Sequence, residues 1–273
     1  MSFGLALVEK LQRGPVVFAI AAASVAILGV RYGDFVPIGQ SLYAWLPGRP
    51  IWVYGSAFLV IVASIALCFS RTATAGARTL CACYAAGMLA CVPQVLSQPL
   101  SVGAWYSFCE AATYLAGAGV LYTLLRRPLH GSTAPGSDER VARAGQILFG
   151  LTCIFYGWSH FFYAEYTAAM VPAWLPIRLG LAYLTGAGHV AAGVAIVIGV
   201  LPRLAANLEA AMMSLFGLLV WVPSFFVQPT PEWAKPAQTQ WSESVVNLLL
   251  AAAAWMVALS LSNRKWLGRG ESA

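Results

Sequence analysis

Imidazole is the side chain that exchanges a proton near neutral pH. Two of the three histidines in this sequence sit within apolar stretches: His160 in FYGWSHFFY and His189 in YLTGAGHVAAG. His160 is expected at the outer end of its stretch, where water reaches it. There it either shuttles a proton or hydrogen-bonds Glu165 or a loop carbonyl. His189 lies about ten residues into its own run, near mid-membrane at a rise of about 1.5 Å per residue. A histidine at that depth is expected to face protein rather than lipid. It is then either a proton-handling group or a polar group bonded to a neighbouring carbonyl or hydroxyl. His130 falls in a polar linker and is expected to be solvated.

Carboxylates supply the second set. Glu110 lies inside the fourth apolar run, and Glu243 and Asn247 stand one helical turn apart on a shared face. A carboxylate at such depth either keeps its proton or finds a partner, and Arg31, Arg49 and Arg178 on the same side are the candidate partners. Glu209, six residues from Arg203, is expected to be structural. Helical rise separates His160 and His189 in depth by about 10 Å, too far for two histidines to share one iron. No HExxH, Walker loop, dinucleotide fingerprint or G-x-S-x-G occurs. The six cysteines, Cys68, Cys81, Cys83, Cys91, Cys109 and Cys153, include no C-x-x-C and read as small buried apolar residues. No metal site and no resident cofactor is predicted.

Positioning these groups falls to membrane helices. The 273 residues are 60% hydrophobic and only 10% charged, against about 25% charge in a soluble domain. Eight apolar runs, 14–31, 51–70, 75–96, 103–125, 144–163, 179–201, 204–227 and 242–262, are each near the length that spans a bilayer. The first is expected to be an uncleaved helix. Twelve of the sixteen Lys and Arg fall on one side of the resulting topology. Arg31, Arg49, Arg178 and Lys235 fall on the other, so both termini are expected in the cytoplasm. That bias accounts for the net charge of +6 without a basic face for nucleic acid.

The sequence also reads as a duplication. AWLPGR at 44–49 returns as AWLPIR at 173–178, Tyr54 as Tyr183, and VPQVLSQP at 92–99 as VPSFFVQP at 222–229. Trp105 pairs with Trp241 after an insertion in the second copy. Four helices per copy return the chain to its starting side, which predicts parallel repeats. By this register His160 corresponds to Arg31 and His189 to Val60. The expected fold is an all-α membrane protein of eight transmembrane helices in two parallel-repeat four-helix bundles, 1–125 and 144–273, joined by a cytoplasmic linker at 126–143. In the fifth helix Phe149, Cys153, Tyr156, His160 and Tyr163 share one face, and Gly150 and Gly157 form a second face suited to close helix contact.

The runs SHFFYAEYTAAMVPAWLP, YLTGAGHVAAGVAIVIGVLPRLAA, MMSLFGLLVWVP and QWSE resemble DoxX-like bacterial membrane proteins. The resemblance is strong across roughly 145–260 and fainter across 14–125. It implies a four-helix membrane unit, here fused in tandem, in the bacterial inner membrane. Some relatives are small subunits linked to quinol or thiosulfate oxidation, which implies a redox-associated subunit with a membrane redox partner or a homo-oligomer. An outer-facing pocket lined by His160, Arg178, Tyr183, His189, Trp221, Trp241, Glu243 and Asn247 would suit a quinone or another small apolar ligand. A small-solute transporter and a purely structural or assembly subunit are the alternatives.

Overall fold

The computed structural model describes residues 2–36, 46–126, 136–229 and 231–267, and among these it is helical without a strand. Trp45, His130 and half of the expected linker lie outside them. Nine helices follow in order: α1 Ser2–Tyr32, α2 Arg49–Leu67, α3 Ala73–Ser97, α4 Val102–Arg126, α5 Gly136–Phe162, α6 Ala164–Met170, α7 Arg178–Ile198, α8 Pro202–Ser224 and α9 Ala237–Ser260. Seven of them are long and apolar enough to cross a membrane, α1 by its segment Arg13–Tyr32. The remaining pair, α5 with the short α6, reaches that standard only jointly and bends by 93° between them.

Element ends follow local chemistry. The two AWLPxR corners share a backbone feature: the residue before each arginine is left-handed, Gly48 at φ 64° and Ile177 at φ 47°. Glycine adopts that conformation freely, whereas a β-branched residue there is strained. The VPxxxxQP segments differ. α3 continues through Pro93 to Ser97, but α8 passes through a π-helical turn at Gly217–Trp221 just before Pro223 and ends at Ser224. Part of the inserted segment joins the membrane helix, since α9 begins at Ala237.

Each spanning helix packs on the next, and α9 closes the ring on α1. Across the middle α4 packs against α9. These two are the most interior of the seven, with 61% and 67% of their spans buried. α4 also leans on α5, and α9 on α1. A methyl group on Gly117 of α4 would stand 2.6 Å from Ala253 Cβ of α9 and 2.9 Å from Phe18 of α1, so this crossing admits no side chain. At the helix ends, Arg126 Nε donates to Asp138 Oδ2 at 3.0 Å. Arg143 donates to the carbonyls of Ile196 and Val197, which the end of α7 leaves without amide partners.

The closest seam joins α5 to α7. A methyl on Gly157 would stand 2.6 Å from Val190 Cγ2, and one on Gly150 2.8 Å from the Gly193 carbonyl. Gly186 and Gly193 face them from α7. Where lipid surrounds a protein, such small-residue contact holds helices together because apolar burial between them gains little. Gly157→Val is therefore expected to lower stability in detergent by about 1–3 kcal/mol or to prevent assembly. Gly119→Ala, whose methyl meets nothing within 4 Å, is expected to remain at or slightly above wild type. Denaturant titration of the two variants side by side checks the seam.

Candidate functional site

The glycine seam sets where the two histidines meet. With Gly157 against Gly186 and Gly150 against Gly193, the antiparallel register puts His160 about level with Tyr183. That is six residues, or about 9 Å of rise, from His189. Side chains on a helix lean toward its N-terminus, and in an antiparallel pair those leanings converge. The ring centroids are 5.1 Å apart at 78°. The expected separation in depth holds for the backbone but not for the imidazoles, so distance is no obstacle to a shared ligand. Among the described residues no group of three or more His, Cys, Asp or Glu side chains gathers to hold a metal.

His189 is 1% exposed and Glu209 fully buried, with Nδ1 and Oε1 2.7 Å apart. At that distance an Nδ1–H donates to the carboxylate, fixing the ring and leaving Nε2 as its second polar atom. Glu209 Oε2 has no hydrogen-bond partner in the protein, and Cys153 is its electrostatic neighbour. Glu209 was expected to be a structural acid near Arg203. Instead Arg203 turns away, donating to the Arg264 carbonyl and lying over the Trp266 ring. A sequence signal for the pair exists. The left-handed Gly199 that ends α7 is ten residues from both His189 and Glu209, so a simple helical hairpin places them opposite each other.

His160 is half-buried, and its Nδ1 lies 3.0 Å from Thr185 Oγ1. The Thr185 hydroxyl proton goes to the Leu181 carbonyl at 2.9 Å, so the imidazole donates from Nδ1, with the Ala182 backbone as a further polar neighbour of the ring. Phe216 of α8 stands 5.9 Å from His160 and 5.7 Å from His189, and Tyr156 stands edge-on to His189 at 6.3 Å. Phe149, Cys153 and Tyr156 are buried as the helical stripe predicts, while Tyr163 is exposed at the bend before α6.

From Tyr156 the polar interior continues into α4. Tyr156 OH lies 3.0 Å from Thr113 Oγ1, which donates to Thr152 at 2.9 Å. Tyr106 OH lies 2.7 Å from Ser159 Oγ. Glu110 is buried on the same helix, within electrostatic reach of Tyr156 and of Glu243 on α9. None of the three expected arginines reaches it. Arg49 pairs with Asp34, Arg31 is exposed over the Tyr32 ring, and Arg178 is exposed at the start of α7. Asn247 is buried against the π-turn, its Oδ1 2.7 Å from where a methyl on Gly217 would stand.

Of the eight residues expected around one pocket, His160 and His189 are brought together. Glu243 lies within electrostatic reach of Glu110, and Asn247 lies against Gly217 of the π-turn. Tyr183 is exposed and stacks on Phe161 at 6.1 Å, Trp221 meets Trp233, and Trp241 meets Phe225 at 4.5 Å. A recess of about 510 Å³ is an open groove beside α6 lined by Glu165, Ala168, Ala169, Ile177, Arg178, Leu179 and Gly180, and Arg178 alone of the eight borders it. Among the cysteines Cys68 departs from expectation, being exposed in the turn after α2.

The region that carries the glycine seam, both histidines and Glu209 is also the region with a known likeness. Residues 143–223 match the DoxX family. No curated protein and no solved structure matches the chain. The DoxX match covers α5 from Arg143 through most of α8. Glu110, Glu243 and Asn247 lie outside it.

Removing one member of the His189–Glu209 pair strands the other in the interior. Glu209→Leu alone is expected to cost about 3–5 kcal/mol, and His189→Leu with Glu209→Leu much less than the summed single losses. A double-mutant cycle by denaturant titration checks this, and strictly additive losses would count against the pair.

Proposed function

We propose that this protein is a DoxX-type subunit of a bacterial cytoplasmic membrane that binds a lipid-soluble, hydrogen-bonding molecule of the quinone class beside His160 and His189. The observation that carries the reading is the buried His189–Glu209 pair at 2.7 Å with the His160 ring 5.1 Å from His189, under aromatic cover. A quinone has an apolar ring that packs on Phe and Tyr, and carbonyls that accept from imidazole N–H. His160 is the half-exposed member and is held by Thr185, so it meets the ligand first. His189 and Glu209 behind it form a route by which a proton released from a quinol leaves the site. The protein's residues handle protons only, and electrons pass to a membrane redox partner.

The duplication and the cytoplasmic placing of both termini belong to the same reading. Shared left-handed corners before Arg49 and Arg178, and the reciprocal packing of α4 on α5 and α9 on α1, support it. The solute-permease alternative needs polar groups at matched depth in both halves, whereas Val60, the counterpart of His189, is buried and apolar.

Protein purified in mild detergent from quinone-containing membranes is expected to yield quinone on solvent extraction and mass spectrometry. His160→Ala is expected to reduce the yield about tenfold, the loss of one good hydrogen bond, and Arg31→Ala to leave it unchanged. Wild-type protein with no more quinone than an unrelated membrane protein would defeat the reading and leave a structural subunit.

A further inference from the structure

A second group of polar side chains sits where the two halves cross, on α4 and α9, and the histidine site does not use it. Glu110 is 9% exposed and Tyr114 3%, and both Glu110 Oε2 and the Tyr114 hydroxyl lack a hydrogen-bond partner in the protein. Buried polar atoms are nearly always satisfied. Two unsatisfied oxygens on neighbouring turns of one helix therefore mark a place where something else bonds. Glu243 approaches from α9, within electrostatic reach of Glu110, Tyr106 and Tyr114. It is half-buried, whereas Glu110 is buried.

What faces this pair fixes the sign of the ligand. Around Glu110 stand Tyr106, Cys109 and Tyr114 of α4 and Tyr156 of α5, with the Tyr84 ring of α3 5.4 Å from that of Tyr114. From α8 the nearest charged group, Glu209, is already engaged by His189. None of the described Arg, Lys or His side chains pairs with Glu110 or Glu243. Two carboxylates within electrostatic reach of each other, one of them buried and neither with a positive partner, carry a large cost. Oxygen is the only donor type that the two glutamates and the tyrosine offer. Hard cations choose such ligands, and a proton binds equally well to a carboxylate.

We propose that Glu110, Glu243 and Tyr114 form a binding site for a single monovalent positive charge, a proton or a small alkali cation such as Na⁺, at the junction of the two halves. The charge joins the halves electrostatically, because one carboxylate comes from each. The site stands whether or not the histidine site binds a quinone.

The test is the thermal midpoint of the full chain in lipid nanodiscs, for wild type, Glu110→Gln, Glu243→Gln, these two combined, and Tyr114→Phe. It is read from mildly acidic to mildly alkaline pH in choline buffer, then with added NaCl or KCl. A proton at the site predicts that the wild-type midpoint falls as pH rises and that Na⁺ does not restore it. An alkali cation predicts that Na⁺ restores the midpoint at alkaline pH and choline does not. In the proton case either glutamine variant leaves one carboxylate at the site, so its pH dependence is weakened, and only Glu110→Gln with Glu243→Gln abolishes it. In the alkali-cation case each single variant loses the Na⁺ rescue, because one of the two charges that hold the cation is gone while the shape is kept. Tyr114→Phe keeps both charges and is expected to need about tenfold more cation for the same midpoint. If either glutamine variant keeps the full pH and Na⁺ dependence of wild type, or wild type shows neither dependence, the proposal is wrong.

Discussion

An imidazole and a carboxylate held 2.7 Å apart, both shut off from solvent, constrain everything around them. Separately, each would be costly in an apolar interior, and together they are tolerable only in good geometry. That geometry requires α7 and α8 to meet in one register, which the left-handed Gly199 and the short turn to Pro202 enforce. It also requires α5 to cover the pair closely enough to exclude lipid. Four glycines at the α5–α7 seam let the backbones approach to that distance. A side chain at any of the four would push α5 outward and open the pair.

The same pattern of close crossing recurs at the centre, where Gly117, Ala253 and Phe18 bring α4, α9 and α1 together. Because α4 rests on α5 and α9, and α9 rests on α1, helices from early and late in the chain complete one another's surroundings. The polar groups follow this interlock. Tyr156 on α5 touches the histidine cluster on one side and the Thr113 hydroxyl of α4 on the other. A buried polar network runs from the DoxX region into a helix outside it, and a change on α4 can therefore be felt at His189.

Hydropathy made the spanning helices legible, since a bilayer leaves few ways to satisfy a backbone. The small faces were legible too: Gly150 and Gly157, spaced for one side of a helix, do meet a partner. The nearness of His160 to His189 was not, because counting rise along an axis ignores the tilt of side chains toward helix N-termini. Glu209 was hidden by its proximity in sequence to Arg203, although its mirror position about Gly199 held the clue. The expected single pocket gathered polar and aromatic residues of the second half without knowing which helix faces they occupied. Residue type grouped Tyr183, Trp221 and Trp241 with His189, while the helix faces send all three to aromatic contacts elsewhere. Glu110 was legible as an interior acid, but its expected arginines were chosen by side of the membrane and not by contact.

The central claim is that Glu209 holds the His189 ring through Nδ1. Solid-state NMR of ¹⁵N-histidine-labelled protein in lipid tests it most directly, comparing wild type with Glu209→Gln and using His189→Gln to assign the signal. The account predicts a strongly hydrogen-bonded Nδ1 signal for His189 that moves on Glu209→Gln, while the His160 signal, set by Thr185, shifts far less. A His189 signal identical in wild type and Glu209→Gln would contradict it.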